Sequence, residues 1–219
     1  KLIQVKVVSE ATGSKQTVLK APAIVKVITA EDIKAIGATD LDEVLETVPE
    51  LHIARKASNY GPLYLMRGIY STNNPEVMLL INNVPINSVQ YGDRGDGWGR
   101  MPVNAIARIE VIRGSGAVVH ADAFAGAINI VTKTKEEIKG TEIGGRLGSF
   151  SSTEAWLLHS GHYGDYDTVA TLEYSDTKGP HKIIEADRQT ALDKQLGTRA
   201  SYAPGAASLQ NCSYEGHLE

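Results

Sequence analysis

The clearest pattern in the chain is a pair of β-branched runs, Ile106–Ile112 and Ala127–Thr132, within the stretch Ala105–Lys133 (AIARIEVIRGSGAVVHADAFAGAINIVTK). Between them lie Arg113-Gly114-Ser115-Gly116 and a run of small residues ending at Gly126. Apolar β-branched runs bounded by Gly and Ser clusters predict two sheet strands with a compact connection. Upstream, Ala23–Ile28 predicts another strand. Thr29-Ala30-Glu31-Asp32 then opens a short helix, with Thr29 as cap and Asp32 reaching back, and Gly37 closes it. Thr39 caps a second helix in which Leu41, Val44, Leu45 and Val48 recur at helical spacing, and Pro49 stops it. This amphipathic pair is expected to cover one face of the sheet. His52–Arg55 and Leu63–Arg67 read as short strands around a polar tip, Lys56–Pro62. Glu76–Ile81 and Val84–Asn87 flank Asn82-Asn83, a pair that tolerates the positive φ of a tight hairpin turn. Ser88–Arg100 (SVQYGDRGDGWGR) is too rich in glycine and charge for a regular element and predicts a surface loop, and Pro102–Ile106 a turn leading back into the sheet.

After Lys133 the pattern changes. Lys133–Lys139 is a charged linker, and from Thr141 the chain alternates in steps of two, with Ile143, Gly145 and Leu147 against Glu142, Gly144 and Arg146. Val169, Thr171 and Glu173 against Ala170, Leu172 and Tyr174 repeat the alternation. Thr153–Tyr163, with Trp156, predicts a strand between them, turned at Gly164-Asp165. Alternating runs of about ten residues joined by short turns are the mark of membrane β-barrel strands. Asp176–Gln210 lacks the alternation and reads as a long polar loop, and Ser213–Glu219 starts a further alternating run. At the other end, residues 1–20 hold only the short β-like run Ile3–Val8. They read as a frayed terminus, or as a segment that adds as a strand to a partner's sheet edge.

Composition narrows the classes. Among 219 residues, 22 are Lys or Arg and 26 are Asp or Glu, a formal charge of −4, so there is no basic footprint for nucleic acid. The single cysteine, Cys212, rules out an internal disulfide framework and a multi-thiolate zinc site. The longest clean apolar run, Val77–Ile81, is far shorter than the roughly 20 residues of a membrane helix, which leaves a β-barrel open. The histidines (52, 120, 159, 162, 181, 217) show no compact metal spacing, and His159 and His162 fall on opposite faces of one strand. No nucleophile elbow, phosphate loop or carboxylate dyad is present, so nothing points to an enzyme. No cofactor and no metal site is expected.

Several ordered motifs together resemble the plug domain of TonB-dependent outer-membrane receptors: VITAEDIKAIGATDLDEVLETVPEL (Val27–Leu51), MRG (Met66–Gly68), VMLLINNVPIN (Val77–Asn87) and all of Ala105–Lys133. The resemblance covers roughly residues 5–135, and the alternating strands after Thr141 resemble the start of the family's barrel. Two positions depart from the family pattern. Asn82-Asn83 stands where the hairpin usually carries Asp-Gly, and Val119-His120 stands where a Tyr-Gly pair usually precedes Ala123-Phe124. The implied fold is an α+β plug, a small mixed sheet with short helices and long loops, followed by antiparallel transmembrane β-barrel strands. The implied division is a flexible 1–20, a plug over 21–135 and barrel strands over 141–219.

The resemblance also implies a function. Such receptors bind a scarce nutrient, commonly a ferric siderophore, with cobalamin or haem as the alternatives, and the plug fills the barrel. Ligand exposes an N-terminal box to TonB, which adds a strand and transmits energy. The box would comprise Ile3, Gln4, Val5, Lys6, Val7 and Val8. Ligand contact is expected from Asn59 and Tyr60 in the hairpin tip and from Tyr91, Asp93, Arg94, Asp96, Trp98 and Arg100 in the Gly-rich loop. These supply aromatic surface, guanidinium for anions and oxygens for hard cations. Arg67, Arg108 and Arg113 sit at strand ends or inside the apolar sheet, where a buried Arg needs a partner. Their implied role is plug–barrel pairing, with Glu110 as a local partner. A barrel needs at least about eight strands, more than residues 141–219 supply, so the chain is expected to be the N-terminal portion of a longer receptor. The competing class is a soluble periplasmic plug-like module, which would carry a polar outer face after Thr141.

Overall fold

A computed structural model describes residues 7–8, 16–17, 24–55, 61–71, 74–86, 101–113, 124–164, 166–179, 182–201, 203, 205–207 and 211–218. The chain divides into two compact units, Lys1–Lys139 and Gly140–Glu219.

In the first unit, β1 (Val7–Val8) pairs antiparallel with β2 (Gln16–Thr17). β3 (Ile24–Thr29) leads into α1 (Ala30–Ile36) and α2 (Leu41–Leu45), followed by a hairpin of β4 (Leu51–Arg55) and β5 (Pro62–Met66). β6 (Val77–Ile81), β7 (Val84–Pro85), β8 (Ile106–Arg113) and β9 (Gly126–Thr132) complete a five-stranded sheet in the order β3-β8-β9-β6-β7. Only β6 and β9 run parallel in it, so the sheet is mixed. The two β-branched runs are its central pair, joined antiparallel with one irregularity between Ile106 and Arg108.

α1 starts where Thr29 Oγ1 accepts the Asp32 amide while the Asp32 carboxylate accepts the Thr29 amide, and it ends on Gly37 at φ 76°. α2 starts one residue later than the sequence predicts. Asp40 is its cap, its Oδ1 accepting the Glu43 amide at 2.9 Å. Thr39 instead donates its amide and hydroxyl to the Glu43 carboxylate, because a carboxylate one position on offers the stronger acceptor. The helix also stops at Leu45, short of Val48. Ile33, Leu41, Val44 and Leu45 of the helices and Ile109, Ile128, Ile130 and Leu79 of the sheet form one buried cluster. Each fully buried aliphatic contributes about 1.5–3 kcal/mol, so this face is the main source of stability. Asn82 and Asn83 adopt φ 49° and 67°, the twisted turn that a two-residue hairpin requires.

In the second unit, β10 (Thr141–Gly148), β11 (Ser152–Tyr163) and β12 (Tyr166–Thr177) form an antiparallel meander. The segment expected to be featureless is not. It folds into a small hairpin of β13 (Lys182–Ile184) with β14 (Gly205–Ala207), enclosing α3 (Arg188–Leu196). β15 (Asn211–Leu218) then joins β12, giving the order β10-β11-β12-β15. α3 escapes a periodicity search because it has no apolar stripe; its ends carry the signal, with Asp187 and Thr190 in a capping box and Gly197 at φ 71°.

Candidate functional site

The arginines flagged in the sequence fall into two groups in the first unit. Glu50 and Arg67 both hold positive φ, 69° and 55°, which non-glycine residues adopt sparingly and at some cost. The Arg67 amide donates to the Glu50 carbonyl at 2.9 Å, and its Nε donates to Glu50 Oε2 at 3.2 Å. From the end of β8, Arg113 Nη1 lies 3.6 Å from Glu50 Oε1 and 3.5 Å from the Pro49 carbonyl. One carboxylate thus gathers two guanidinium groups where α2 turns into β4. Glu50 and Arg67 are exposed enough that the pair itself contributes little, but Arg113 is largely buried and its Nε has no hydrogen-bond partner among the described residues.

The second group lies on the opposite side of the sheet from the large core cluster. Arg108, Glu110 and Ile112 alternate with core-facing residues along β8, and Glu110 is paired in register with Asn129 of β9. Glu110 is fully buried. A buried carboxylate is costly unless paired, and Arg108 Nε donates to Oε1 at 2.8 Å. Asn129 Nδ2 donates to Asn83 Oδ1 at 2.8 Å and approaches Glu110 Oε2 at 3.5 Å, while Asn129 Oδ1 accepts the Asn83 amide. Asn82 adds a second tie, accepting the Thr132 amide at 3.0 Å. The polar residues interrupting two apolar strands therefore meet one another and the turn after β6. Asn83 is legible in the sequence as a turn residue but not as a partner of β9, and the only signal of Asn129 is that it stands as a lone Asn in an Ile-Val run.

The second unit offers two unlike faces. Cross-strand partners share a face, so the register sets Ile143, Leu157 and Leu172 in one row and Gly145, Ala155 and Tyr174 in the next. Ile143 is 76% exposed and Leu147 82%, values that water does not favour. Tyr163 pairs with Tyr166 at the hairpin end of this face. Its reverse carries Glu142, Arg146, Glu154, Trp156 and Glu173. There Arg146 Nη1 lies 3.4 Å from Glu154 and the Arg146 guanidinium 6.0 Å from the Trp156 ring centre. Trp156 lies flat across Gly144, where a Cβ would come within 2.1 Å of the ring. His159 meets Thr141 and Tyr163 on the apolar face, while His162 meets Asp167 on the other.

The remaining site residues expected from sequence lie outside the described residues: Asn59, Tyr60, Tyr91, Asp93, Arg94, Asp96, Trp98 and Arg100, together with Ile3, Gln4, Val5 and Lys6. Of the candidate box, Val7 and Val8 are described, as extended backbone opposite Thr17 and Gln16. Among the described residues, no group of His, Cys, Asp and Glu is arranged to hold a metal ion.

A mixed sheet with two covering helices, followed by antiparallel strands with one exposed apolar face, defines a class: a plug-type domain leading into a β-sheet suited to lipid. The family model described as TonB-dependent Receptor Plug Domain matches residues 17–127, half of the chain. The chain belongs to the TonB-dependent receptors, a family of transporters and receptors rather than enzymes, and its compartment is the bacterial outer membrane. It is 30% identical over 151 residues to the vitamin B12 transporter BtuB of Vibrio vulnificus, covering 68% of this chain and 24% of that protein. The same transporter of Photobacterium profundum is 32% identical over 123 residues, 56% of this chain and 20% of that protein. The chain thus spans a quarter or less of the length of these curated relatives. Among solved structures, the ferripyoverdine receptor of Pseudomonas aeruginosa superposes with a TM-score of 0.64 at 18% identity, over 80% of this chain and 23% of that one. The ferric yersiniabactin uptake receptor FyuA of Yersinia pestis gives 0.63 at 18%, over 90% and 28%. At that identity the likeness is one of fold.

Proposed function

We propose that this chain forms the plug and first wall strands of an outer-membrane receptor for TonB-coupled uptake of a scarce nutrient such as a ferric siderophore. The observation that carries this reading is the succession, in one chain, of a plug-family sheet and a sheet with one apolar and one polar face. The apolar face suits lipid and the polar face a lumen; a soluble periplasmic module would gain nothing from exposing Ile143, Leu147 and Leu172. Ligand is met by Asn59 and Tyr60 at the hairpin tip and by Tyr91, Asp93, Arg94, Asp96, Trp98 and Arg100 in the loop before Met101. Arg67 and Arg113, gathered on Glu50, and Arg108 with Glu110 set the plug's register against the wall. TonB adds a strand along Ile3–Val8, where backbone pairing supplies affinity and alternate side chains supply specificity.

A second reading, cobalamin as cargo, is favoured by the identity to the two vitamin B12 transporters. One experiment separates the two. In the full-length receptor, binding of radiolabelled ferric siderophores and of cyanocobalamin is measured before and after alanine substitution of Tyr91, Arg94 and Trp98. Affinity for the true cargo is expected to fall at least about tenfold, the weight of one charge-assisted contact of roughly 1.5 kcal/mol. Unchanged affinity for a cargo that binds the parent would remove the loop from the site. Deleting Lys1–Ser9 should abolish co-purification with TonB and leave cargo binding intact; retained TonB binding would place the box elsewhere.

A further inference from the structure

Three consecutive residues at the start of α2 hold the roots of both segments assigned above to ligand, and the inference drawn from them rests on that assignment. Asp40 forms an antiparallel bridge with Pro102. The Leu41 amide donates to the Met101 carbonyl at 2.8 Å. Met101 directly follows Arg100, so these two contacts fix the point where the Gly-rich loop returns to the fold. Asp42 turns the opposite way. Its Oδ2 lies 2.7 Å from Nη1 of Arg55, the last residue of β4 before the tip that begins at Lys56. Arg55 and Pro62 form the final rung of that hairpin.

The Asp42–Arg55 pair differs from an ordinary surface ion pair. The Asp42 side chain is 4% exposed and that of Arg55 34%, so removing the guanidinium leaves a carboxylate without its counter-charge inside the protein. Tyr64, on the returning strand of the same hairpin, is almost wholly buried; that burial first, and the Asp42 charge second, push its phenol above the usual range. Both strands of the hairpin therefore sit against the same carboxylate. Tyr64 is itself fixed from behind, its amide donating to Asn74 Oδ1 at 2.8 Å and its carbonyl accepting from Asn74 Nδ2 at 2.9 Å. Leu41, Val44 and Leu45 are fully buried, so α2 shifts as one packed piece rather than bending between its contacts.

We infer that α2 is a shared root that couples the two recognition segments, with Asp42 and Arg55 as positioning residues. A displacement at the base of the hairpin tip is carried through Asp42 to Leu41 and Asp40, and from them to Met101 and Pro102. Neither residue needs to touch ligand for this. An apolar contact at the same place would hold the hairpin without fixing its direction, whereas a single charged contact between two named atoms sets both.

The test is amide hydrogen exchange on the full chain without ligand, followed by mass spectrometry. Failure of the coupling therefore leaves the ligand assignment standing, and failure of the alanine test above leaves the coupling standing. In Arg55→Gln, exchange should rise about tenfold in residues 51–66 and, with it, at the Leu41 amide and in residues 101–106, as expected for loss of a shared local opening unit. Arg55→Lys keeps the charge and should bring both regions back most of the way together. Protection of β8 and β9 serves as the reference for the global fold. If Arg55→Gln lowers that reference, the milder Arg55→Lys carries the test, since its two regions must still shift in step. A variant that loosens residues 51–66 while 101–106 keep the parent's protection overturns the proposal, as does an Arg55→Gln chain in which both regions keep it.

Discussion

Gly126 shows how much one missing side chain can decide. A Cβ there would lie 2.2 Å from Met66 Sδ and 2.4 Å from the Ile112 carbonyl oxygen. The sulfur belongs to a flexible side chain and can yield, but the carbonyl is part of the β8–β9 ladder and cannot. Gly126→Ala should therefore lower stability by about 1–3 kcal/mol, the usual cost of overpacking, read as an earlier urea midpoint. Glu46 offers a pH test at the same scale. Slight burial works to raise its pKa, but the Ile53 amide, donating at 2.7 Å, and His52, 2.5 Å away, outweigh it and hold the carboxyl below its ordinary value of 4.5. A carboxyl lowered in the folded state contributes stability above its unfolded pKa and loses it as pH falls through the folded one. His52→Ala should thus raise the Glu46 midpoint in an NMR titration and bring acid unfolding to slightly higher pH. The shift will be small because both groups are exposed.

At the scale of elements, α3 is secured by its termini and by one carboxylate. Asp193 accepts from Thr198 Oγ1 at 2.6 Å, Gln189 Nε2 at 2.9 Å, and the amides of Ala200 and Ser201, each at 2.7 Å. These bonds, that from Thr198 foremost, bring its pKa down to about 2. The sign follows as for Glu46: the tie is intact above the ordinary Asp value and is lost as pH falls towards 2. Asp193→Asn should free the Ala200 and Ser201 amides to exchange faster at neutral pH, with β11 and β12 unaffected. The contrast with α1 shows what a sequence makes legible. The Thr29–Asp32 box and Gly37 were readable because caps are local, three or four positions apart, and an apolar residue, Ile33, followed in phase. α3 has caps of the same kind, but it lacks an apolar stripe and its restraint, the Ser201–Asp193 bond, spans a turn whose course no pattern announces. The site divides in the same way. Arg108 and Arg113 were visible as charges in or beside an apolar strand. Glu50 was not, because it meets Arg67, 17 positions later, only across the base of the β4–β5 hairpin, where both residues take the left-handed conformation.

At the scale of the whole molecule, each unit has a buried face and a face whose character points to its surroundings. In the second unit the register makes that assignment testable, because neighbouring residues on one strand face opposite ways. Leu157 stands in a row between Ile143 and Leu172 on the exposed apolar face, while Leu158, its neighbour, is fully buried on the reverse. If the apolar face meets lipid, a charge at Leu157 must be drawn into hydrocarbon or dragged to the interface. Leu157→Arg in the full-length receptor should then cost about 2–4 kcal/mol near mid-membrane, measured by urea unfolding from lipid vesicles. Glu142→Arg, a reversal of charge on the polar face, should cost far less there, because water or polar groups already surround that side. In aqueous detergent-free refolding of the isolated chain the order should collapse, since Leu157 is then exposed to water and an arginine is at least as well solvated as a leucine. Equal costs for Leu157→Arg and Glu142→Arg in vesicles would mean that the two faces see the same medium, and the assignment of this sheet to a barrel wall would be lost.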